Sequence, residues 1–172
     1  IGFYESIKEM GGNVKFINKQ NICGDTTADI KVKYSKLKGI SVSPKRVPTM
    51  IDEFPIFCIV SCFADGKTTM NGIQDLRNKE SDRIKEMVNN LKKFGFNISS
   101  SSDSITIIGN KNIDLSKEII IDSKFDHRIA MSFLCLGFLM NKGVKVVNAE
   151  TINTSFPNFY KTMETLGAKF KK

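Results

Sequence analysis

Residues 79–99 read Lys79-Glu80-Ser81-Asp82-Arg83-Ile84-Lys85-Glu86-Met87-Val88-Asn89-Asn90-Leu91-Lys92-Lys93-Phe94-Gly95-Phe96-Asn97-Ile98-Ser99. The apolar positions Met87, Val88, Leu91 and Phe94 are spaced i, i+1, i+4, i+7, which is one face of an α-helix. Gly95 follows as a residue able to take positive φ just past a helix end, and 96–99 then reads as a strand. Two other segments share the pattern. Phe3-Tyr4, Ile7, Met10, Gly11 and Phe159-Tyr160, Met163, Leu166, Gly167 stand at offsets of 84 and 72 residues from it. Strands are predicted after them at 14–17 and 168–170.

Between these segments lie two helices of another kind, 52–64 and 127–140, each apolar on nearly every side. A helix hydrophobic all round is buried among other elements. Each leads through a turn into a strand, at 68–71 and 144–147, and further short strands read at 29–32, 104–108 and 118–121. The unit is strand, buried helix, strand, amphipathic helix, strand, strand, and it repeats, with the first copy truncated at Ile1. Such units predict an α/β (α+β) fold with helices inside and sheets outside.

The chain has 172 residues, 41% of them hydrophobic, which is enough for a real core. Its net charge of +8 comes from lysines scattered over turns and helix backs. They form no stripe interleaved with aromatics, so nucleic acid is not the expected partner. The longest apolar run, 129–140, is 12 residues and too short to span a bilayer, so no membrane is expected either. Cys23, Cys58, Cys62 and Cys135 show no C-x-x-C spacing and read as buried, reduced thiols of a cytoplasmic protein. With a single histidine, no metal site is expected.

Of 26 cationic residues only four are arginine: Arg46, Arg77, Arg83 and Arg128. Where lysine serves as the general cation, arginine marks places that need the planar fork which grips carboxylate or phosphate bidentately. Arg83 opens one helix and Arg128 another, inside the clusters 79–83 and 126–128. Glu80 and Arg83 lie four residues before Ile84 and Met87, in line with the core-facing stripe, whereas Lys85, Asn89, Lys92 and Lys93 take the opposite, solvated face. A salt bridge at the core rim explains the pair as a structural feature; a carboxylate and a guanidinium aimed into a cleft explain it as a site. Asp126 is placed to cap the second helix, and Arg128 at its start would add a clamp to an anion-attracting N-terminus. His127 reads as a donor to substrate in preference to a proton shuttle. Asp52-Glu53-Phe54-Pro55 heads the other buried helix, where Asp52 or its predecessor caps the helix or Asp52 serves as a general base.

The segments 50–55, 76–83 and 126–132 resemble signature segments of the 5-enolpyruvylshikimate-3-phosphate synthase family and come in the order that family has them, and Thr154-Ser155-Phe156-Pro157 resembles a fourth. The resemblance implies the inside-out α/β barrel domain of the enolpyruvyl transferase type, built from repeated βαβαββ units. Residues 1–172 would be a partial C-terminal domain of a two-domain protein whose N-terminal domain is absent from this chain. The implied reaction moves the enolpyruvyl group of phosphoenolpyruvate to the 5-hydroxyl of shikimate 3-phosphate, with no metal or organic cofactor and with a monomer as the full-length state. It also implies roles: Asp52 contacts the shikimate hydroxyls and is a candidate base, and Glu80 exchanges a proton with the enolpyruvyl methylene. Lys79 bridges substrates and carboxylates, Arg83 and Arg128 hold the phosphoenolpyruvate carboxylate, and His127 assists. Thr154 stands where some family members carry a lysine. Two other readings remain: a catalytically silent fragment of the same fold, and the sister transferase acting on UDP-N-acetylglucosamine, which lacks both charged clusters.

Overall fold

The computed structural model describes residues 1–171, beginning with helix α1 (Gly2–Glu9). Past it, Gly11 at φ 89° turns the chain into a hairpin of β1 (Asn13–Ile22) and β2 (Asp25–Lys33). The hairpin is longer than the strands predicted at 14–17 and 29–32. Its turn accounts for the difference: Cys23 and Gly24 both have positive φ, 52° and 90°, and such two-residue turns match the twist of paired strands. The antiparallel ladder therefore runs from Ile22 opposite Asp25 to Asn13 opposite Lys33, with one irregularity between Ile17 and Gln20. At the hairpin tip Cys23 is exposed, and Cys135 on the later buried helix is only half-buried, which corrects the expectation of four buried thiols.

The next elements form one complete unit in the predicted order, opened by a two-residue strand at a place where the sequence pattern marks none. They are β3 (Ser41–Val42), α2 (Phe54–Cys62), β4 (Lys67–Asn71), α3 (Arg83–Lys93), β5 (Asn97–Ser100) and β6 (Ser104–Ile108). The strands make one sheet in the order β3-β4-β6-β5, with β3 parallel to β4 and the other pairs antiparallel. The helix expected at 52–64 starts only at Phe54, because Ile51–Glu53 forms a 3-10 turn. No side chain caps α2, so Asp52 is not its cap. Gly95 at φ 89° ends the α3 segment as expected.

A third, partial unit follows: β7 (Ile120–Asp122), α4 (His127–Leu136), β8 (Lys145–Val147), α5 (Ile152–Ser155) and α6 (Phe159–Thr165). Like β3 and β4, the strands β7 and β8 are parallel. The helix expected through residue 140 ends at Leu136 and tightens into a 3-10 turn at Gly137–Leu139. The strand expected at 168–170 is not formed. A strand needs a neighbouring edge, and here the Ala168 amide donates back to the Met163 carbonyl at 3.0 Å while Phe170 packs edge-on against Tyr160.

Helix α2 and the inner faces of α3 and α4 occupy the interior, and the strands lie outside them. On α2 only Ile56 and Val60 escape full burial, and α2 packs against α4. Phe94 stacks on Phe133 with centroids 6.1 Å apart, and Phe63 meets Phe96 edge-on at 5.4 Å. Each such side chain contributes about 1.5–3 kcal/mol through burial, so this aromatic seam is what fixes α3 and α4 relative to each other. Strand β6 shows the layering: Ile105 and Ile107 are buried while Ile108 is exposed. Among the described residues no helix is long and apolar enough to cross a membrane.

Burial pushes the Cys58 thiol up to about 12 and Cys62 well above its usual value. Since the thiolate is the reactive form, thiols of this kind are inert. At pH 8 a maleimide is therefore expected to label Cys23 rapidly and Cys58 and Cys62 only after denaturation. Peptide mapping by mass spectrometry reads the sites, and rapid labelling of Cys58 in the native chain would contradict this core.

Candidate active site

Three helix entrances meet at one place. Asp52 precedes α2, Glu80 to Arg83 lead into α3, and Asp126 to Arg128 open α4. Two of these entrances are fixed by local capping. Asp82 caps α3 by accepting from the Lys85 amide at 2.9 Å, and its other oxygen takes Arg77 Nη1 at 2.8 Å. Arg77 in turn donates Nε to the Ser102 carbonyl at 2.7 Å, so this arginine is structural. Asp126 caps α4 as expected, its Oδ1 accepting from the amides of Arg128 at 2.9 Å and Ile129 at 3.3 Å.

Asp126 does more than cap. Its Oδ2 accepts from Ser81 Oγ at 2.9 Å and from Arg83 Nε at 2.8 Å, across more than 40 residues of sequence. Arg83 also gives Nη1 to Asp52 Oδ1 at 3.0 Å and Nη2 to Glu80 Oε2 at 2.6 Å. One guanidinium thus holds three carboxylates from three elements. The Arg83 and Asp126 side chains are 1% and 0% exposed, whereas Glu80 and Asp52 are 49% and 42% exposed. The cluster is graded from a sealed pair to an open rim.

The electrostatics follow the contacts. Burial works against the Arg83 charge, but the hydrogen bond and charge of Asp126, with Glu80 and Asp52 adding, outweigh it and raise the pKa. For Asp126 burial favours the neutral acid, yet Arg83, Ser81 and the Arg128 amide prevail and hold the carboxyl below its usual range. Asp126 is therefore an anion at neutral pH. The turn before it is pinned as well. Asp122 accepts from the Lys124 ammonium at 2.7 Å and amide at 2.9 Å and from Asn148 Nδ2 at 2.8 Å, which lowers its pKa to about 2. Those contacts keep Lys124 and Phe125 at φ 55° and 58°, a left-handed conformation that side chains of this size adopt at a cost.

Arg128 is held more loosely. Its Nη1 donates to the Asp52 carbonyl at 3.4 Å, and its guanidinium lies 3.5 Å from the Asp52 carboxylate and 3.7 Å from Glu53. With 34% of the side chain exposed, Arg128 is free to exchange these contacts for a ligand anion. His127 is half-buried and Lys79 exposed at the same entrances. Thr154 is exposed on α5, where its hydroxyl donates to the Thr151 carbonyl at 2.9 Å, and among the described residues no bond joins it to the cluster. The structure thus brings Asp52, Glu80, Arg83 and Arg128 into direct contact, places Lys79 and His127 at their shoulders, and leaves Thr154 apart. Sequence reasoning took Asp126 only for a cap. Its position before His127 signalled the cap; nothing in the sequence signalled the reach to Ser81 and Arg83.

The family model for EPSP synthase (3-phosphoshikimate 1-carboxyvinyltransferase) matches residues 2–163. The chain belongs to the EPSP synthase family. It is 42% identical over 173 aligned residues to the 3-phosphoshikimate 1-carboxyvinyltransferase of Zymomonas mobilis, covering 99% of this chain and 38% of that protein. The corresponding protein of a Sulfurihydrogenibium species is 40% identical, covering 95% of this chain and 37% of its own length. The solved EPSP synthase of Acinetobacter baumannii superposes with a TM-score of 0.89 at 38% identity, over 95% of this chain and 38% of that one. The fold is therefore the enolpyruvyl transferase fold, and this chain spans about 38% of the length of such relatives.

Removing one partner of a buried ion pair leaves the other charge uncompensated, which costs about 3–5 kcal/mol. Asp126→Ala is expected to destabilise the fold by an amount of that order in urea titration at pH 7. The pH dependence carries a sign. Because the folded pKa of Asp126 is depressed, its contribution is present above the unfolded value and is lost as pH falls through the folded one. The gap between wild type and variant should thus narrow in acid below about pH 3.9, the unfolded value. A gap unchanged between pH 7 and acid would show that Asp126 is not carrying this charge.

Proposed function

We propose that this chain supplies one half of an active site that transfers the enolpyruvyl group of phosphoenolpyruvate to the 5-hydroxyl of shikimate 3-phosphate. The observation that carries the reading is Glu80, a carboxylate half-exposed at the rim and fixed at 2.6 Å by an arginine that is itself sealed. A group that trades a proton with a carbon centre must be reachable yet held still, and this arrangement provides both.

In the addition step the 5-hydroxyl oxygen bonds to C2 of phosphoenolpyruvate while Glu80 delivers a proton to C3, turning the methylene into a methyl group. Asp52, at the rim beside it, binds the shikimate hydroxyls and takes the hydroxyl proton. In the elimination step Glu80 recovers a proton from the methyl group, the double bond re-forms and phosphate leaves with the electron pair of the C2–O bond. Arg128, with its long and exchangeable contacts, takes the substrate carboxylate. Arg83, whose Nε, Nη1 and Nη2 already donate to Asp126, Asp52 and Glu80, joins it there by loosening its hold on Glu80 or Asp52. Lys79 reaches between the substrates and the carboxylates and His127 donates a hydrogen bond nearby, while Thr154, apart from the cluster, contributes no charge to phosphate binding. No organic cofactor or metal ion enters this scheme, and the cytoplasm and a monomeric whole protein fit it.

Both substrates are polyanions, yet Asp52, Glu53, Glu80 and Asp126 outnumber Arg83, Arg128 and Lys79 at this entrance. The balancing cations must come from a second domain that closes over the site, so residues 1–172 form the partial C-terminal domain of a two-domain protein. Nothing at the cluster favours UDP-N-acetylglucosamine as acceptor. The silent-fragment reading holds for the isolated chain alone.

In a full-length protein carrying this chain as its C-terminal part, Glu80→Gln is expected to lower kcat by ~10² to 10⁴ while substrate binding persists. Phosphate release under saturating substrates measures it, and equal turnover in the variant would remove Glu80 from the chemistry. The 172-residue chain by itself is expected to bind both substrates weakly, with affinity falling as salt rises, and to release no phosphate. Steady turnover by the chain alone, abolished by Arg128→Ala, would refute the two-domain reading.

A further inference from the structure

Lys79 and Glu80, the exposed groups that one loop brings to the candidate site, sit in a stretch with little backbone support. A 3-10 turn at Gln74–Asn78 precedes them, and α3 begins only at Arg83. Among the described residues, no backbone–backbone hydrogen bond involves Lys79, Glu80 or Ser81. Side chains must therefore hold this loop. On its inner side Ser81 and Arg83 both donate to Asp126, at 2.9 and 2.8 Å.

The outer side is held by Arg77. Its Nη1 donates to Asp82 Oδ2 at 2.8 Å, its Nε to the Ser102 carbonyl at 2.7 Å and its Nη2 to the Ser101 carbonyl. One guanidinium thus bridges the far end of the loop to the turn between β5 and β6. That turn is a firm support. The Ser101 amide donates to the Ser104 carbonyl at 3.1 Å, Ser101 Oγ donates to Asp103 Oδ1 at 2.8 Å, and the Asp103 carbonyl accepts from the Ile73 amide at 2.9 Å. Ile73 and Arg77 therefore fasten both ends of the 3-10 turn to the sheet, and the Arg77–Asp82 pair closes the loop 77–82 around Lys79 and Glu80.

We infer that Arg77 is a positioning residue for Glu80, with the Arg77–Asp82 pair acting as a clasp across the loop. The inference rests on the reading of Glu80 as the group that exchanges a proton with the substrate carbon. In that reading Arg83 meets the substrate carboxylate by loosening its hold on Glu80 or Asp52, so the 2.6 Å contact from Arg83 cannot alone aim Glu80 through the reaction. What remains to aim it is the loop backbone, and the clasp holds that backbone. A misplacement of about 1 Å caused by a change away from the chemistry can cost ~100-fold in rate. Asp82 divides its duties between its oxygens: Oδ1 caps α3 through the Lys85 amide and Oδ2 takes Arg77. The clasp can therefore be opened with the cap left in place.

Two measurements test it. In this chain, NMR relaxation of the backbone amides is expected to give order parameters of about 0.85 at Lys79, Glu80 and Ser81, falling below about 0.6 in Arg77→Met with α4 unchanged. In a full-length protein carrying this chain as its C-terminal part, Arg77→Met is expected to lower kcat by ~10- to 100-fold with KM held within ~3-fold. Asp82→Asn keeps a capping oxygen but loses the charge that faces Arg77, and it should reproduce both effects. In a Glu80→Gln background Arg77→Met should lower kcat by less than ~2-fold further, because it acts through Glu80, whereas a merely structural role lowers kcat by the same factor in both backgrounds. The inference is overturned by unchanged order parameters at 79–81, by wild-type turnover in Arg77→Met, or by equal losses in the two backgrounds. If Glu80→Gln alone turns over like wild type, the reading of Glu80 fails and the positioning role with it, while the order parameters still decide whether Arg77 holds the loop.

Discussion

The ion pair between Arg83 and Asp126 is the contact on which the candidate site depends. It joins the entrance of α3 to the entrance of α4 across 43 residues, and its geometry is tight at 2.8 Å. A pair of this kind is a poor source of net stability, because removing both charges from water costs about what their attraction returns. Its value lies in specificity. With Asp126 also capping α4 and Arg83 also holding Asp52 and Glu80, the orientation of one guanidinium sets the positions of three carboxylates. The aromatic seam of Phe94 on Phe133 supports the same two helices from below, so packing and charge fix one relative placement.

The site is graded in solvent exposure, and the gradient divides the labour. The sealed Arg83–Asp126 pair sets the frame, while Glu80, Asp52 and Arg128 stand at the rim with water access. The site also carries more anions than cations, with Asp52, Glu53, Glu80 and Asp126 against Arg83, Arg128 and Lys79. On the inner face of β2, Ile30 and Val32 have the alternation of buried residues and the exposure of surface ones.

Much of the architecture was legible in the sequence because it is periodic. The helix stripe, the glycine past it and the order of the complete unit follow from spacing alone, and Gly11 and Gly95 both take the positive φ expected of them. What spacing cannot show is whether a strand finds a partner. Residues 168–170 have the composition of a strand and no edge to join, and the long β1–β2 ladder depends on a Cys23-Gly24 turn without the usual asparagine or aspartate signal. The site was legible in its members, since arginine among many lysines marks where a fork is needed. Its wiring was not. That Arg83 spends its fork on protein carboxylates, and that Asp126 is their centre, is a matter of tertiary distance.

The most direct measurement is a double-mutant cycle on stability with Arg83→Met, Asp126→Leu and the two combined, read by urea unfolding at neutral pH. If the pair is a sealed, mutually dependent unit, each single variant loses about 3–5 kcal/mol by leaving a buried charge alone. The double variant then loses far less than the two together, with a coupling of at least about 1 kcal/mol. Losses that add within about 0.5 kcal/mol would show that the two residues act independently, and the account of the site as one arginine-centred unit would fail.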